Sequence, residues 1–126
     1  MQERDGWKRM NKRQVGAQYE QAAARYLEQR GYRIIESNFR CRCGEIDLVA
    51  REGAYLVFVE VKYRKDTGAG EPLEAVDYRK QRQISRTAAF YLLRRGYGEN
   101  TPCRFDVVAI LGEEVRVIQN AFEYVP

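Results

Sequence analysis

Apolar residues recur along the chain with two different periods, and the changes of period predict the order of its helices and strands. In the first periodic segment they lie three or four positions apart, as on one face of a helix: Val15, Tyr19, Ala22, Ala23, Tyr26 and Leu27. Gly31 stands where this helix should end. The same spacing predicts a second helix, which begins after the capping residue Asp77 and ends at Gly96.

Shorter apolar segments predict five strands, at residues 32–35, 46–50, 55–61, 104–111 and 115–119. The order is therefore one helix, three strands, a second helix and two strands. The third strand is apolar on both faces as far as Glu60, which is typical of a strand in the middle of a covered sheet. A loop rich in arginine and cysteine is expected between the first two strands. The pattern predicts an α/β fold in which helices flank a mixed central sheet.

Composition and charge fit one globular domain. The chain has 126 residues, of which 44% are hydrophobic and 32% are charged, and its formal net charge is +4. Residues 1–13 contain five basic and two acidic residues, so most of the excess charge lies at the start of the chain. We therefore expect a flexible basic tail over residues 1–13 and a single, nearly neutral domain over residues 14–126.

Several classes of protein are excluded by what the sequence lacks. The longest unbroken apolar run, residues 88–93, is six residues long and too short to span a membrane. The charged first residues contain no apolar segment of a secretory signal. The absence of histidine rules out serine–histidine and cysteine–histidine catalysis. We expect a cytoplasmic protein without a membrane partner.

The three cysteines, Cys41, Cys43 and Cys103, agree with that compartment, because an exported domain would normally pair its cysteines. Cys41 and Cys43 are separated by a single residue and are badly placed to bridge each other in an extended chain. We interpret all three as reduced, mainly structural thiols.

Acidic residues and a lysine interrupt the apolar strands near the middle of the chain. Glu60 and Lys62 are two positions apart, so they share one face of the third strand. If the second and third strands form a hairpin that is symmetric about residues 52–53, Asp47 lies on the same face as a diagonal neighbour of Glu60. Glu45 then lies directly opposite Glu60.

These carboxylates repel one another unless a cation joins them. Oxygen ligands of this kind suit Mg²⁺ or Mn²⁺, and a neighbouring lysine could hold the attacking water in the hydrolysis of a phosphodiester bond. Glu20, at the border of the apolar face of the first helix, could add a ligand. The alternatives are a structural ion pair, of Glu60 with Lys62 or of Asp47 with an arginine, and an ordinary flanking glutamate at position 20.

Three segments, residues 44–50, 57–62 and 104–108, resemble the successive signatures of the bacterial YraN-type family of uncharacterised proteins. They read GEIDLVA, VFVEVK and RFDVV. The resemblance extends from about Val15 to Phe122. That family is similar to archaeal Holliday-junction resolvases and to the restriction-endonuclease-like nucleases that carry a PD-(D/E)xK motif. The resemblance implies a restriction-endonuclease-like αβββαβ core.

The resemblance also implies roles for individual residues. Asp47 matches the acidic residue of the second strand, and Glu60 and Lys62 match the E-x-K element. Glu20 matches a glutamate of the first helix. These four are implied as catalytic, and the three acids among them as ligands of Mg²⁺ or Mn²⁺. Lys80 fits a basic position early on the second helix.

The implied activity is metal-dependent endonucleolytic hydrolysis of nucleic acid, with DNA preferred to RNA and branched or otherwise structured DNA as a substrate. A resolvase-like reaction would favour a two-fold homodimer, because two opposed strands must be cut. Basic residues near the E-x-K element could contact phosphates: Arg64, Lys65, Arg79, Lys80, Arg82 and Arg86. Such a charge run on a helix is also typical of a solvated face. The alternative functions are a nucleic-acid-binding module with little or no catalysis and a small structural adaptor.

Overall fold

The computed structural model describes residues 11–64 and 75–126, and its elements follow the predicted order. These residues form two helices and five strands: α1 (Lys12–Gln29), β1 (Arg33–Cys41), β2 (Gly44–Glu52), β3 (Tyr55–Arg64), α2 (Tyr78–Arg94), β4 (Cys103–Leu111) and β5 (Glu114–Phe122). The strands form one sheet in the order β1-β2-β3-β4-β5. The predicted α/β class is confirmed, and the order of elements is compatible with an αβββαβ core.

The sheet is mixed, and its one parallel pair among the described strands is β3–β4. The neighbouring pairs β1–β2, β2–β3 and β4–β5 are antiparallel. A parallel pair requires a crossover connection, which contains α2. Helix α1 packs on one face of the sheet through Ala23 and Leu27, and α2 packs on the other through Ile84 and Tyr91. Each face therefore has its own apolar cluster, which explains why β3 is apolar on both sides.

Helix α1 begins earlier than the sequence pattern predicts. Asn11 is its N-cap: the Asn11 side chain accepts a hydrogen bond from the Gln14 N–H, and the Gln14 side chain accepts one from the Asn11 N–H. Lys12 and Arg13, which the charge pattern assigns to the tail, therefore belong to the helix. Residues 1–10 of the predicted tail lie outside the described residues. Neither described helix combines the length and the apolar character needed to cross a membrane.

Strand β1 continues as far as Cys41, through the segment that the sequence indicated as a loop. Two irregularities interrupt the alternation of residues on the two faces of β1. The pairing with β2 shifts between Ile34 and Glu36, and Asn38 has a left-handed φ of 56°. Because a bulge and a left-handed residue both break the period of two, the pattern identified the first part of the strand alone. The predicted loop is wrong, and the turn between β1 and β2 is limited to residues 42–43.

The β2–β3 hairpin differs from the predicted register by two residues. Glu52 pairs with Tyr55 and Leu48 pairs with Val59, so residues 53–54 form a two-residue turn. The predicted symmetry about residues 52–53 is wrong: the two-residue turn lies one position later, with Gly53 as its first residue at a φ of 60°, a conformation that such a turn favours at that position. An even shift leaves every side chain on its original face. Beyond Leu48 the alternation of β2 breaks, because Ile46 packs in the apolar cluster of α2 and Leu48 in that of α1.

A polar network joins several elements away from those acids. Asp106 is fully buried and accepts hydrogen bonds from the Tyr32 hydroxyl at 2.6 Å, the Arg104 guanidinium at 2.9 Å and the Asn120 N–H at 2.9 Å. The Gln119 side chain donates to the Tyr32 hydroxyl at 2.9 Å. Because these groups satisfy one another, Asp106 has a structural role in the sheet.

Candidate metal and nucleic-acid site

Three carboxylates from two elements converge at one end of the sheet. Glu20 extends from α1, and Glu45 and Asp47 extend from β2. One carboxylate oxygen from each lies within 4.8 Å of the others. Asp47 is 9% exposed, and its Oδ2 accepts a hydrogen bond of 2.8 Å from the backbone N–H of Val61 on β3. This acidic cluster, defined as Glu20, Glu45 and Asp47, forms because the helix and the hairpin pack against each other.

The acidic cluster holds more negative charge than its surroundings offset. Burial and the charge of Asp47 raise the pKa of Glu20 to about 7, although a hydrogen bond from Asn38 acts in the opposite direction. Burial also raises the pKa of Asp47, and the nearby Glu45 adds to that effect, whereas the hydrogen bond from Val61 lowers it. The cluster is therefore a place where a cation would relieve an unfavourable interaction.

Glu60 is a neighbour of the cluster rather than a member of the group within 4.8 Å. Burial, followed by the charge of Asp47, raises the pKa of Glu60 to about 7. The Lys80 Nζ lies 3.8 Å from Oε2 of Glu60. Lys62 acts on Glu60 through its charge, while its Nζ donates a hydrogen bond to the backbone carbonyl of Ala75. Lys62 and Lys80, the two lysines that the sequence predicted for this site, therefore both lie close to Glu60.

A cleft of about 480 Å³ opens beside the cluster on the α1 side. It is lined by Arg13, Gly16, Ala17, Glu20, Asn38, Arg40 and Glu45. Arg40 pairs with Glu45 at 3.2 Å. Asn38, which sequence reasoning missed, is a left-handed residue whose side chain bonds Glu20. Strained backbone of this kind is frequent at functional sites, yet a single asparagine carries no signal of it in the sequence.

A second groove, of about 550 Å³, lies between the β1–β2 turn and α2. This basic groove is defined by its lining residues, Arg42, Cys43, Tyr78, Arg79, Arg82, Gln83 and Arg86. The structure thus brings together Arg79, Arg82 and Arg86 as their helical spacing suggested. Sequence reasoning missed Arg42, because its place in the groove depends on how the β1–β2 turn packs on α2. The turn packs so closely there that a Cβ on Gly44 would lie 2.7 Å from the Gln83 side chain.

Lys80 and Arg64, which were also predicted to contact phosphates, do not line the basic groove. Lys80 faces Glu60. Arg64 ends β3, where its backbone carbonyl accepts a hydrogen bond from the N–H of Gly112. Lys65 lies outside the described residues.

The tight turn also brings two thiols together. Cys41 pairs with Gly44 at the end of the hairpin, and the Cys43 side chain shares a hydrogen bond with that of Cys41. The chain reverses at residues 42–43 rather than continuing extended, which explains why the two thiols lie close together without being bridged. All three cysteines are free thiols.

The family and the relatives that this chain matches below carry no assigned activity in their names. Residues 19–110 match the family described as uncharacterised protein family UPF0102. A UPF0102 protein of Lachnoclostridium phytofermentans is 56% identical over 114 residues, covering 90% of this chain and 97% of the relative. The UPF0102 protein STH1475 of Symbiobacterium thermophilum is 53% identical over 115 residues, covering 87% and 97%. The UPF0102 protein GSU0650 of Geobacter sulfurreducens is 50% identical over 114 residues, covering 86% and 88%.

Proposed function

The chain belongs to the uncharacterised protein family UPF0102, the YraN-type family that its motifs resemble, and we propose that it is a metal-dependent endonuclease acting on nucleic acid. One observation carries the proposal: the carboxylate of Glu20 on α1 converges with those of Glu45 and Asp47 on β2 within 4.8 Å. Crowded carboxylates destabilise a fold unless a cation offsets their repulsion, so their convergence favours a metal site over an accident of packing.

The donor set fits Mg²⁺ or Mn²⁺. All the candidate ligands are carboxylate oxygens, the type that these hard cations prefer, and the described cluster contains no thiol. Glu20 and Asp47, with Glu45 or Glu60 beside them, would hold the ion. When bound, it would polarise the phosphodiester and make a water molecule a better nucleophile.

The chain's own residues supply positioning and charge. The Lys62 Nζ, which now bonds the Ala75 carbonyl, is a donor that can turn to a phosphate oxygen or to the attacking water. Lys80 keeps a positive charge beside Glu60. Asn38 holds the Glu20 carboxylate by a hydrogen bond. Together these groups would orient the ligands and offset the charge that develops on the phosphate.

Nucleic acid is the polymer that suits the basic groove. The exposed arginines at positions 42, 79, 82 and 86 would neutralise phosphates without reading bases, which gives affinity for a backbone and little sequence preference. We take DNA in preference to RNA, and branched or structured DNA, from the family resemblance. A homodimer would supply two clefts for two opposed strands. Three free cysteines support a reducing compartment such as the cytoplasm.

A binding module without catalysis is the second candidate. The basic groove and the acidic cleft have no lining residue in common, so the groove could hold a backbone even if the acids never cut it. An adaptor with a purely structural acid cluster would instead show no affinity for nucleic acid at low salt, where electrostatic binding is strongest.

Cleavage assays separate these functions. Duplex, flap and four-way-junction DNAs and structured RNAs are incubated with the protein in Mg²⁺, Mn²⁺ or EDTA. We expect metal-dependent cleavage of at least one substrate. Glu60→Gln and Lys62→Ala should each lose roughly 100-fold or more, because the first removes a carboxylate that would help to hold the ion and the second removes a cation from the reacting phosphate. The matched control is Glu114→Gln, at an exposed acid at the start of β5.

The outcomes are distinct. Metal-dependent binding without cleavage of any substrate favours the binding module. Cleavage that survives both Glu60→Gln and Lys62→Ala places the active site elsewhere. The control variant should cut at the rate of the unmodified protein.

A further inference from the structure

An aromatic pair lies next to the acidic cleft on the α1 side of the sheet. The rings of Tyr19 on α1 and Tyr63 on β3 are stacked, with centroids 4.0 Å apart and planes inclined by 13°. Tyr19 packs on the apolar cluster beneath α1. Tyr63 is the outer member of the pair and remains 39% exposed.

The exposure of Tyr63 indicates which part of its ring is available. A parallel stack at 4.0 Å covers one ring face almost completely. The 39% exposure that remains to Tyr63 is compatible with a ligand on the ring face opposite Tyr19. Tyr19, held by the core behind it, gives that ring a rigid support.

The position of the pair connects it to the proposed reaction. Tyr63 follows Val61 on the same face of β3, and the Val61 N–H holds Asp47. The Tyr63 hydroxyl lies 3.9 Å from where a Cβ on Gly16 would stand, and Gly16 lines the acidic cleft. Tyr63 does not itself line the cleft, but its ring lies beside the α1 segment, residues 16–20, that forms one wall of it.

We propose that Tyr63, supported by Tyr19, is a stacking site for one unpaired nucleobase beside the phosphate at the acidic cluster. A base inside a continuous duplex has both faces covered by its neighbours, whereas an unpaired base has a free face for an aromatic ring. The substrate class is therefore a nucleic acid with unpaired nucleotides next to the cut, such as an overhang, a flap or a loop. This inference rests on the proposed function and narrows its substrate.

Equilibrium binding tests the stacking site without requiring cleavage. Fluorescence anisotropy in Ca²⁺ compares a blunt duplex with the same duplex carrying a short single-stranded overhang. Tyr63→Ala should weaken binding of the overhang DNA by roughly 5- to 150-fold, the range that corresponds to one lost stacked base, and should change blunt-duplex binding less than about twofold. Tyr63→Phe keeps the ring and should bind like the unmodified protein.

A fluorescent base analogue measures the stacking directly. A 2-aminopurine in the overhang should lose fluorescence on binding, since stacking on an aromatic ring quenches it, and the quench should vanish in Tyr63→Ala. Tyr63→Leu keeps apolar bulk against Tyr19 and should behave like Tyr63→Ala, which separates loss of stacking from loss of folding. Tyr124→Ala, at an exposed tyrosine far along the chain, is the matched control.

Each result decides the inference. If Tyr63→Ala binds and quenches like the unmodified protein, or weakens both DNAs equally, the stacking site is wrong while nucleic-acid binding stands. If the unmodified protein binds neither DNA, the proposed function fails as well.

Discussion

The backbone N–H of Val61 on β3 donates a 2.8 Å hydrogen bond to Oδ2 of Asp47 on β2, and this bond turns the aspartate toward Glu20 of α1. A strand N–H is thus used to orient a candidate ligand. Asp47 is therefore buried beside two other acids, and a bound cation would stabilise this arrangement by offsetting their charge.

Metal binding should depend on Asp47. We expect millimolar Mg²⁺ or Mn²⁺ to raise the melting temperature of the unmodified protein, because an ion bound to the folded state alone stabilises it. Asp47→Asn keeps the size of the side chain and an acceptor for the Val61 N–H but removes a charge, so the metal-dependent rise should disappear. Without metal this variant should melt at or above the original temperature, since repulsion within the cluster falls.

Thermal melts with and without EDTA make this comparison, with Glu114→Gln as the control that keeps the full metal response. An unmodified protein whose melting temperature ignores both ions would count heavily against the metal site. A full response in Asp47→Asn would remove Asp47 from it.

Nucleic-acid affinity should depend on the arginines of the basic groove. Each phosphate contact that is lost reduces the slope of log affinity against log salt by about 0.9 for duplex DNA. Arg79→Ala, Arg82→Ala and Arg86→Ala should therefore each weaken binding and lower the salt slope by up to roughly that amount. Anisotropy titrations over a series of KCl concentrations measure both quantities.

Arg94→Ala is the control for the groove. Arg94 lies on the same helix but packs over Phe90 and does not line the groove. If Arg94→Ala lowers the affinity as much as Arg82→Ala does, the nucleic acid responds to the total charge of α2, and the groove has no special role.

Fold stability at high pH should depend on Tyr32. Burial and the hydrogen bond to Asp106 raise the pKa of Tyr32 to about 12, above its unfolded value of about 10. The stabilising interaction is complete below pH 10 and is lost as the pH rises toward 12. Tyr32→Phe leaves buried Asp106 without one donor, so it should cost about 1.5–3 kcal/mol at pH 8.

Urea unfolding at pH 8 to 12 measures this difference. The gap between the unmodified protein and Tyr32→Phe should shrink over pH 10 to 12, whereas Tyr124→Phe, at an exposed site, should show no gap. A gap that stays constant over this range would mean that Tyr32 titrates normally.

The sequence pattern identified the individual site residues but not the way they come together. Asp47, Glu60 and Lys62 interrupt apolar strands, and Glu20 borders an apolar helix face, so each is visible in the pattern. Their meeting is not visible, because it depends on which helix covers which face of the sheet. Glu45 shows the difference. The predicted hairpin register placed it opposite Glu60, whereas in the structure its carboxylate lies within 4.8 Å of those of Glu20 and Asp47.

The sequence could predict only part of the basic surface and nothing of the aromatic pair. Arg79, Arg82 and Arg86 share a helix face by spacing alone, whereas Arg42 joins them through the packing of a turn. The stack of Tyr19 on Tyr63 joins residues 44 positions apart, and no local pattern carries information about such a contact.

Local sequence patterns were enough to predict the order of helices and strands, the mixed α/β class, the Asp77 N-cap of α2 and the acids that interrupt apolar strands. These features follow from burial within single elements, which leaves a period that can be read locally. The tertiary structure decided the length of β1, the two-residue shift of the hairpin, the gathering of Glu20 with Asp47 and the support of Tyr63 by Tyr19. These depend on turn geometry and on packing between distant elements, which no local period records.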